Sequence, residues 1–144
     1  MIFRPGFFKL CGIVLLITTI LSVGCDQNRQ FAQSDADQMI FRIAEIEVHP
    51  QYLDDYIQAA SAISTASIKN EPGVISLIPM QIKDEPNKIR ILEIYASQEA
   101  YQQHISTEHF KTYKQGTLHM VKNLTLIDTK SLNPAILPDI LNKL

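Results

Sequence analysis

The order of apolar runs between residues 39 and 130 constrains the fold most, because strand-like and helix-like periodicities alternate there in a fixed succession. Residues 39–48 are rich in β-branched types and stop at His49-Pro50, as a strand does before a proline. Apolar residues then recur at three- and four-residue spacings. This spacing predicts a helix over residues 51–69, which ends at Glu71-Pro72-Gly73.

A hairpin is predicted next. Residues 74–83 and 88–96 are two apolar runs, and the turn-forming cluster Asp84-Glu85-Pro86-Asn87 separates them. Such a pattern is typical of two antiparallel strands joined by a short connection.

A second helix and a last strand complete the pattern. Ser97 followed by Gln98-Glu99 is an N-cap with an acidic first turn, and the apolar spacing continues to a stop near Gly116. Thr107-Glu108 predicts a break in the middle of this helix. Residues 121–129 alternate loosely and are predicted to form the last strand.

The order β-α-β-β-α-β predicts a ferredoxin-like α+β fold, with two helices on one face of an antiparallel sheet. The third strand is apolar on both faces, since Ile91 and Tyr95 on one parity are opposed by Leu92 and Ile94 on the other. A face without a helix needs another cover. We therefore expect a homodimer through the face of Leu92 and Ile94 that forms a dimeric β-barrel, with the tail 131–144 reaching across to the partner.

The N-terminus is typical of a secretory signal. Arg4 and Lys9 precede a charge-free run of 16 residues, which is too short to span a bilayer of roughly 30 Å as a helix. Its end, Leu21-Ser22-Val23-Gly24-Cys25, resembles the lipobox of bacterial lipoproteins. This resemblance implies cleavage after residue 24, acylation of Cys25, and a lipoprotein anchored to a membrane of the bacterial cell envelope that faces the periplasm or the exterior; the alternative is an uncleaved short anchor.

The polar residues 25–38 are predicted to be a flexible linker between the lipid and a domain at residues 39–130. Without residues 1–24 the chain keeps 11 cations and 15 acids, so nucleic acid is not an expected partner. The chain has two cysteines, Cys11 and Cys25, and the first leaves with the signal. Neither a disulfide framework nor a cysteine metal site is expected.

Several motifs together resemble the antibiotic biosynthesis monooxygenase superfamily, particularly its small quinol monooxygenases. They are Glu71-Pro72-Gly73, Asp84-Glu85-Pro86-Asn87-Lys88, Ile91-Leu92-Glu93-Ile94-Tyr95, Ser97-Gln98-Glu99-Ala100-Tyr101, His104 and His109-Phe110. The resemblance implies a dimeric ferredoxin-like barrel that oxidises electron-rich aromatics with O2 and uses no flavin, metal or haem. Haem-degrading relatives use a Trp and an Asn, whereas this chain has no Trp and carries Ala44 at the position of the Asn.

Cofactor-free oxygenation of a quinol needs a base that removes a hydroxyl proton in a site sheltered from water. Glu93, His104 and His109 are the candidate catalytic residues, and Tyr95 and Phe110 are the candidate substrate-binding residues. His109 is expected to contribute more than His104, and burial is expected to raise the pKa of Glu93. A metal bound by the two histidines is not expected, because a five-residue spacing without a carboxylate motif is not a ligand signature.

Three classes of function remain open on the sequence. The first is a membrane-tethered, cofactor-independent monooxygenase acting on a quinol or a similar electron-rich aromatic. The second is a non-oxidative enzyme, such as an isomerase, that uses the same pocket. The third is a lipoprotein that binds a small ligand without catalysis. Oxygen consumption with reduced quinols separates the first class from the others.

Overall fold

The computed structural model describes residues 37–141 and residue 143. The predicted signal peptide, Cys25 and most of the predicted linker lie outside the described residues. Within the described part of the chain, no helix combines the length and the apolar character that crossing a membrane requires.

The described chain forms four strands and three helices in the predicted order, followed by a short C-terminal helix. They are β1 (Ile40–Val48), α1 (Leu53–Asn70), β2 (Val74–Ile82), β3 (Glu85–Tyr95), α2 (Gln98–Ser106), α3 (Glu108–Thr117), β4 (Val121–Thr129) and α4 (Leu137–Leu141). Single 3-10 turns at Pro50–Tyr52 and Pro134–Ile136 precede α1 and α4.

The four strands form one antiparallel sheet in the order β2-β3-β1-β4. The ferredoxin-like α+β fold predicted from the sequence is therefore confirmed. The sheet of one chain is open and is not itself a barrel, so a closed barrel would need a second copy.

The hairpin between β2 and β3 is tighter than predicted. The turn consists of Lys83 and Asp84 alone, and β3 begins at Glu85 rather than at Lys88. Pro86 is tolerated in this strand because the pairing of β3 with β1 extends only to Lys88, so the missing N–H of Pro86 removes no hydrogen bond to β1.

The predicted break in the second helical segment is confirmed at Thr107, which ends α2 and caps α3. Its Oγ1 accepts a hydrogen bond from the backbone N–H of Phe110 and donates one to the carbonyl of His104. The predicted N-cap is also confirmed, because the Ser97 side chain accepts from the backbone N–H of Ala100.

The core lies between the helices and one face of the sheet. Its sheet side consists of the even-numbered residues of β1 and the odd-numbered residues of β3, and its helix side includes Tyr56 and Ala60 of α1. The buried set is Ala44, Ile46, Val48, Tyr56, Ala60, Val74, Leu77, Ile89, Ile91 and Tyr95. Alternation along the strands thus brings Glu93, which has the same parity as Ile91 and Tyr95, to the helix side of the sheet.

The opposite face of the sheet is apolar and carries none of the helices in the described chain. It includes Leu92 and Ile94 of β3, of which Ile94 is only 7% exposed, and Ile78, Met80 and Ile127 on the same face are 39 to 51% exposed. Leu132 and Ile136 in the tail are exposed as well. This apolar face is the surface from which the sequence predicts a dimer.

Candidate active site

A cavity opens between the sheet and the helices, and it holds about 780 Å³ of unoccupied space including its mouth. Aliphatic and aromatic side chains form most of its wall, with few polar groups among them. Four of the five residues predicted for the site line this cavity: Glu93, Tyr95, His104 and Phe110.

Glu93 and Tyr95 lie two residues apart on β3 and therefore project from the same face. The Tyr95 hydroxyl donates a hydrogen bond to Oε2 of Glu93 at 3.1 Å. Burial raises the pKa of Glu93, against the smaller effects of this hydrogen bond and of the Arg42 charge, and burial also raises the pKa of Tyr95. A carboxyl group that holds its proton more tightly than in water is suited to proton exchange near neutral pH.

Arg42 is a cavity residue that the sequence analysis missed. It is the partner of Glu93 across the β1–β3 ladder, and its guanidinium donates to Asp128 at 2.7 Å. The same guanidinium lies 4.7 Å from the centre of the Tyr101 ring, a cation–π distance. These two contacts hold the Arg42 side chain beside Glu93. The two residues are far apart in the sequence and become neighbours only because β1 pairs with β3.

His104 lies deepest of the four histidines, with 2% of its surface exposed. Its ring centre is 4.9 Å from that of Phe110 and 5.4 Å from that of Tyr95. Its Nδ1 lies 3.1 and 3.2 Å from the two carboxylate oxygens of Glu71. His104 and Phe110 thus form one aromatic wall of the cavity.

His109 is not among the cavity-lining residues. Its Nε2 lies 2.6 Å from Oε1 of Glu71, and its side chain is 32% exposed. Burial raises the pKa of Glu71, but the polar contacts from His109, Ser67 and His104 together outweigh burial, and the pKa lies below its ordinary value. Glu71 is therefore a charged carboxylate between two imidazoles.

The break at Thr107 explains how two histidines five residues apart reach one carboxylate. In an uninterrupted helix they would lie about 140° apart around the axis, because each residue turns the chain by about 100°. The extended backbone of Thr107 (φ −65°, ψ 151°) restarts the helix in a new direction. Glu71 follows the last residue of α1, so three elements meet at this cluster.

Tyr56 of α1 and Tyr113 of α3 supply a second polar group on the cavity wall, which the sequence analysis also missed. Their hydroxyl oxygens are 2.7 Å apart. Burial raises the pKa of both phenols, and the nearby Glu93 charge raises each of them further. Both hydroxyls stay protonated at neutral pH. One of the two protons forms the hydrogen bond between the two hydroxyls, and the other is not needed for that bond.

One cluster in the described chain has the residue types of a metal site. The nearest ligand atoms of Glu71, His104 and His109 all lie within 4.8 Å of one another. Spacing in the sequence could not reveal the carboxylate, which comes from a distant segment. The three groups already satisfy one another by hydrogen bonds, and a metal would have to replace the protons they share.

The sheet with helices on one face and the aromatic cavity beneath them define a small ferredoxin-like α+β protein with a cavity between its two layers. The sequence profile of the antibiotic biosynthesis monooxygenases matches residues 39–116, more than half of the chain. The chain belongs to this family, and its general activity is that of a monooxygenase.

Solved structures agree with this assignment. A crystal structure from Bacteroides thetaiotaomicron, described as an antibiotic biosynthesis monooxygenase, is 42% identical, covers 67% of this chain and 92% of its own, and superposes with a TM-score of 0.66. A monooxygenase structure from Lactobacillus acidophilus is 30% identical over 64% of this chain and 44% of its own, with a TM-score of 0.63. A Nitrosomonas europaea structure at 20% identity and a TM-score of 0.63, covering 67% of this chain and 93% of its own, shares the fold. A comparison with curated protein sequences found no match.

Proposed function

We propose that this protein is a cofactor-independent monooxygenase that oxidises a quinol, or a similar electron-rich aromatic, with O2. The observation that carries the proposal is the cavity itself, in which Glu93 and His104 face a space walled by aromatic and aliphatic side chains. A flat apolar ring with ionisable hydroxyls fits such a space, and the two residues are bases for its hydroxyl protons.

The cavity residues can assist the proton transfers that this reaction requires. A base removes a hydroxyl proton, the resulting anion transfers an electron to O2, and the oxygen species then adds to the ring. One oxygen atom enters the product and the other leaves as water, so that a hydroquinone and O2 give a hydroxyquinone and water. The free hydroxyl proton of the Tyr56–Tyr113 pair is available to stabilise the negative oxygen that forms.

The geometry favours His104 over His109 as the base, in contrast to the order expected from the sequence. His104 lines the cavity, whereas His109 contacts Glu71 and lies outside it. We place Glu93 beside His104 as the second group that exchanges protons with the substrate, because its Oε1 makes no hydrogen bond to any described residue. His109 remains a candidate that acts through Glu71.

The test is oxygen consumption by the purified, flavin-free and metal-free protein with a panel of reduced quinols. We expect His104→Ala and Glu93→Gln each to lower turnover by about 10²- to 10⁴-fold, the usual contribution of a general base. The matched controls His49→Ala and Glu85→Gln change residues that do not line the cavity and should keep the parent rate. No uptake by the parent with any quinol would contradict the proposal and favour a non-oxidative or binding role.

We also propose that the protein acts as a homodimer. The exposed Ile78, Met80 and Ile127 beside Leu92 form an apolar surface on the sheet face without helices, which a second copy of the same face would cover. The tail beyond β4 exposes Leu132 and Ile136, and we propose that these apolar side chains contact the partner.

We further propose that Cys25 is acylated and tethers the domain to a membrane of the cell envelope. The support is the lipobox-like sequence and the short charge-free run before it. Two or three acyl chains bind a bilayer durably, since each buried methylene contributes about 0.8 kcal/mol. Changing Cys25→Ala should move the protein from the membrane fraction to an unprocessed or soluble form; unchanged partitioning would contradict the tether.

A further inference from the structure

The two ring nitrogens of His104 have different surroundings. Nδ1 faces the Glu71 carboxylate at 3.1 Å, and Nε2 makes no hydrogen bond to any described residue. The His104 ring lines the cavity, and Nε2 is not one of the described side-chain polar atoms that are both sealed from solvent and unpartnered. We infer from this that Nε2 is reachable from the cavity.

We propose that Glu71 is a positioning residue that fixes the tautomer of His104, with the proton on Nδ1 and the lone pair of Nε2 directed into the cavity. This inference rests on the proposed function and assigns the base within it. A carboxylate only accepts hydrogen bonds, so the nitrogen that faces it must carry the proton. A neutral imidazole has one N–H, and the other nitrogen is therefore free to take a proton from the substrate.

His109 also contacts the Glu71 carboxylate. Its Nε2 donates to Oε1 of Glu71 at 2.6 Å, while His104 is nearer to Oε2. Oε1 of Glu71 thus faces both imidazoles and Oε2 faces His104 alone, so that two rings restrain the rotation of the carboxylate. His109 therefore helps to position the Glu71 carboxylate, which in turn positions His104.

The proton balance follows from these contacts. The substrate hydroxyl gives its proton to Nε2, and His104 becomes an imidazolium with a proton on each nitrogen. The adjacent Glu71 carboxylate stabilises that positive charge, as the buried acid does in a catalytic triad. The proton on Nε2 is then available to the oxygen atom that leaves as water, and the residue returns to its starting state.

A Glu71→Gln substitution separates positioning from packing, because it keeps the size of the side chain. The carbonyl oxygen of the introduced amide would accept from His109, which leaves the amide NH2 facing Nδ1 of His104. That NH2 group can only donate, so His104 is expected to move its proton to Nε2 and to lose its base in the cavity. Glu108→Gln is the matched control, since Glu108 is an exposed acid one residue before His109.

The measurement is the 15N NMR spectrum of the imidazole rings in the full-length chain, purified in detergent micelles. The chain has four histidines, so the spectrum can be assigned by single substitutions. We expect the parent and Glu108→Gln to show His104 with Nδ1 protonated and Glu71→Gln to show Nε2 protonated. Quinol-dependent oxygen uptake by Glu71→Gln should fall about 10²- to 10⁴-fold, mainly in kcat.

Three results would overturn the inference. The first is a parent His104 with its proton on Nε2, and the second is a Glu71→Gln variant with an unchanged His104 tautomer. The third is a metal ion whose removal abolishes activity and whose binding changes the signals of both His104 and His109, by shifting them for Zn²⁺ or by broadening them for Co²⁺. The parent spectrum alone shows which nitrogen of His104 is protonated, even if the Glu71→Gln variant fails to fold. Absence of oxygen uptake in the parent would overturn the proposed function instead, because the tautomer is read independently of turnover.

Discussion

The hydroxyl of Tyr95 donates a hydrogen bond to Oε2 of Glu93 at 3.1 Å, between residues that share one face of a single strand. Strand alternation brings both side chains to the side of the sheet that the helices cover, where the Glu93 carboxyl group lines the cavity and burial raises its pKa. The two-residue spacing of this pair is a local feature of the sequence, whereas the buried environment of the pair depends on the whole fold.

Glu93 should make the stability of the protein fall as the pH rises. Its pKa is raised above 4.5, so the folded chain binds this proton more tightly than the unfolded chain does. The stabilisation is complete below about pH 4.5 and is lost as the pH rises through the folded value. Glu93→Gln should therefore raise Tm relative to the parent at pH 8 more than at pH 4 by calorimetry, and a larger gain at pH 4 would contradict the shift.

Glu71 should have the opposite dependence. Its pKa is lowered, so its stabilisation is present above the ordinary value of 4.5 and is lost as the pH falls through the folded value. Glu71→Gln should lower Tm at pH 7, and its difference from the parent should shrink toward pH 3. A difference that stays constant over this range would show that the carboxylate charge does not stabilise the fold.

Gly73 should not tolerate a side chain. A Cβ at this position would lie 2.5 Å from Cβ of Ala100, where α2 packs on the turn before β2. Gly73→Ala should lower the free energy of unfolding by about 1–3 kcal/mol, as overpacking does.

Gly116 provides the matched comparison for Gly73. It lies in α3, and a Cβ there would meet no heavy atom within 4 Å. Gly116→Ala should raise the free energy of unfolding by about 0.5–1 kcal/mol, because alanine loses less backbone entropy in a helix. Urea denaturation measures both variants, and equal effects of the two substitutions would contradict the packing argument.

The proposed dimer depends on the sheet face without helices. Leu92→Asp would bury a carboxylate in that interface and should give monomer or aggregate. Leu118→Asp is the control, because Leu118 follows α3 and is 68% exposed. Light scattering of residues 39–144 should show a dimer for the parent and for Leu118→Asp, whereas a monomeric parent at micromolar concentration would contradict the dimer.

The secondary structure is largely readable from the sequence because its signals are local. Periodicity, the Ser97 cap and the Thr107 break depend on residues within a few positions of one another, and each is confirmed. The third strand begins earlier than predicted because Glu85 and Pro86 resemble turn residues, yet pairing with β2 holds this segment extended.

The sequence by itself determined the order of the elements and the face on which Glu93 and Tyr95 lie, since both follow from the two-residue period of a strand. Only the tertiary structure decided that Glu71 meets His104 from 33 positions away and that Tyr56 meets Tyr113 from 57. It also separated His104, inside the cavity, from His109, outside it. These contacts depend on how α1, α2 and α3 pack on the sheet, and no local spacing encodes which distant polar groups that packing brings within hydrogen-bonding distance.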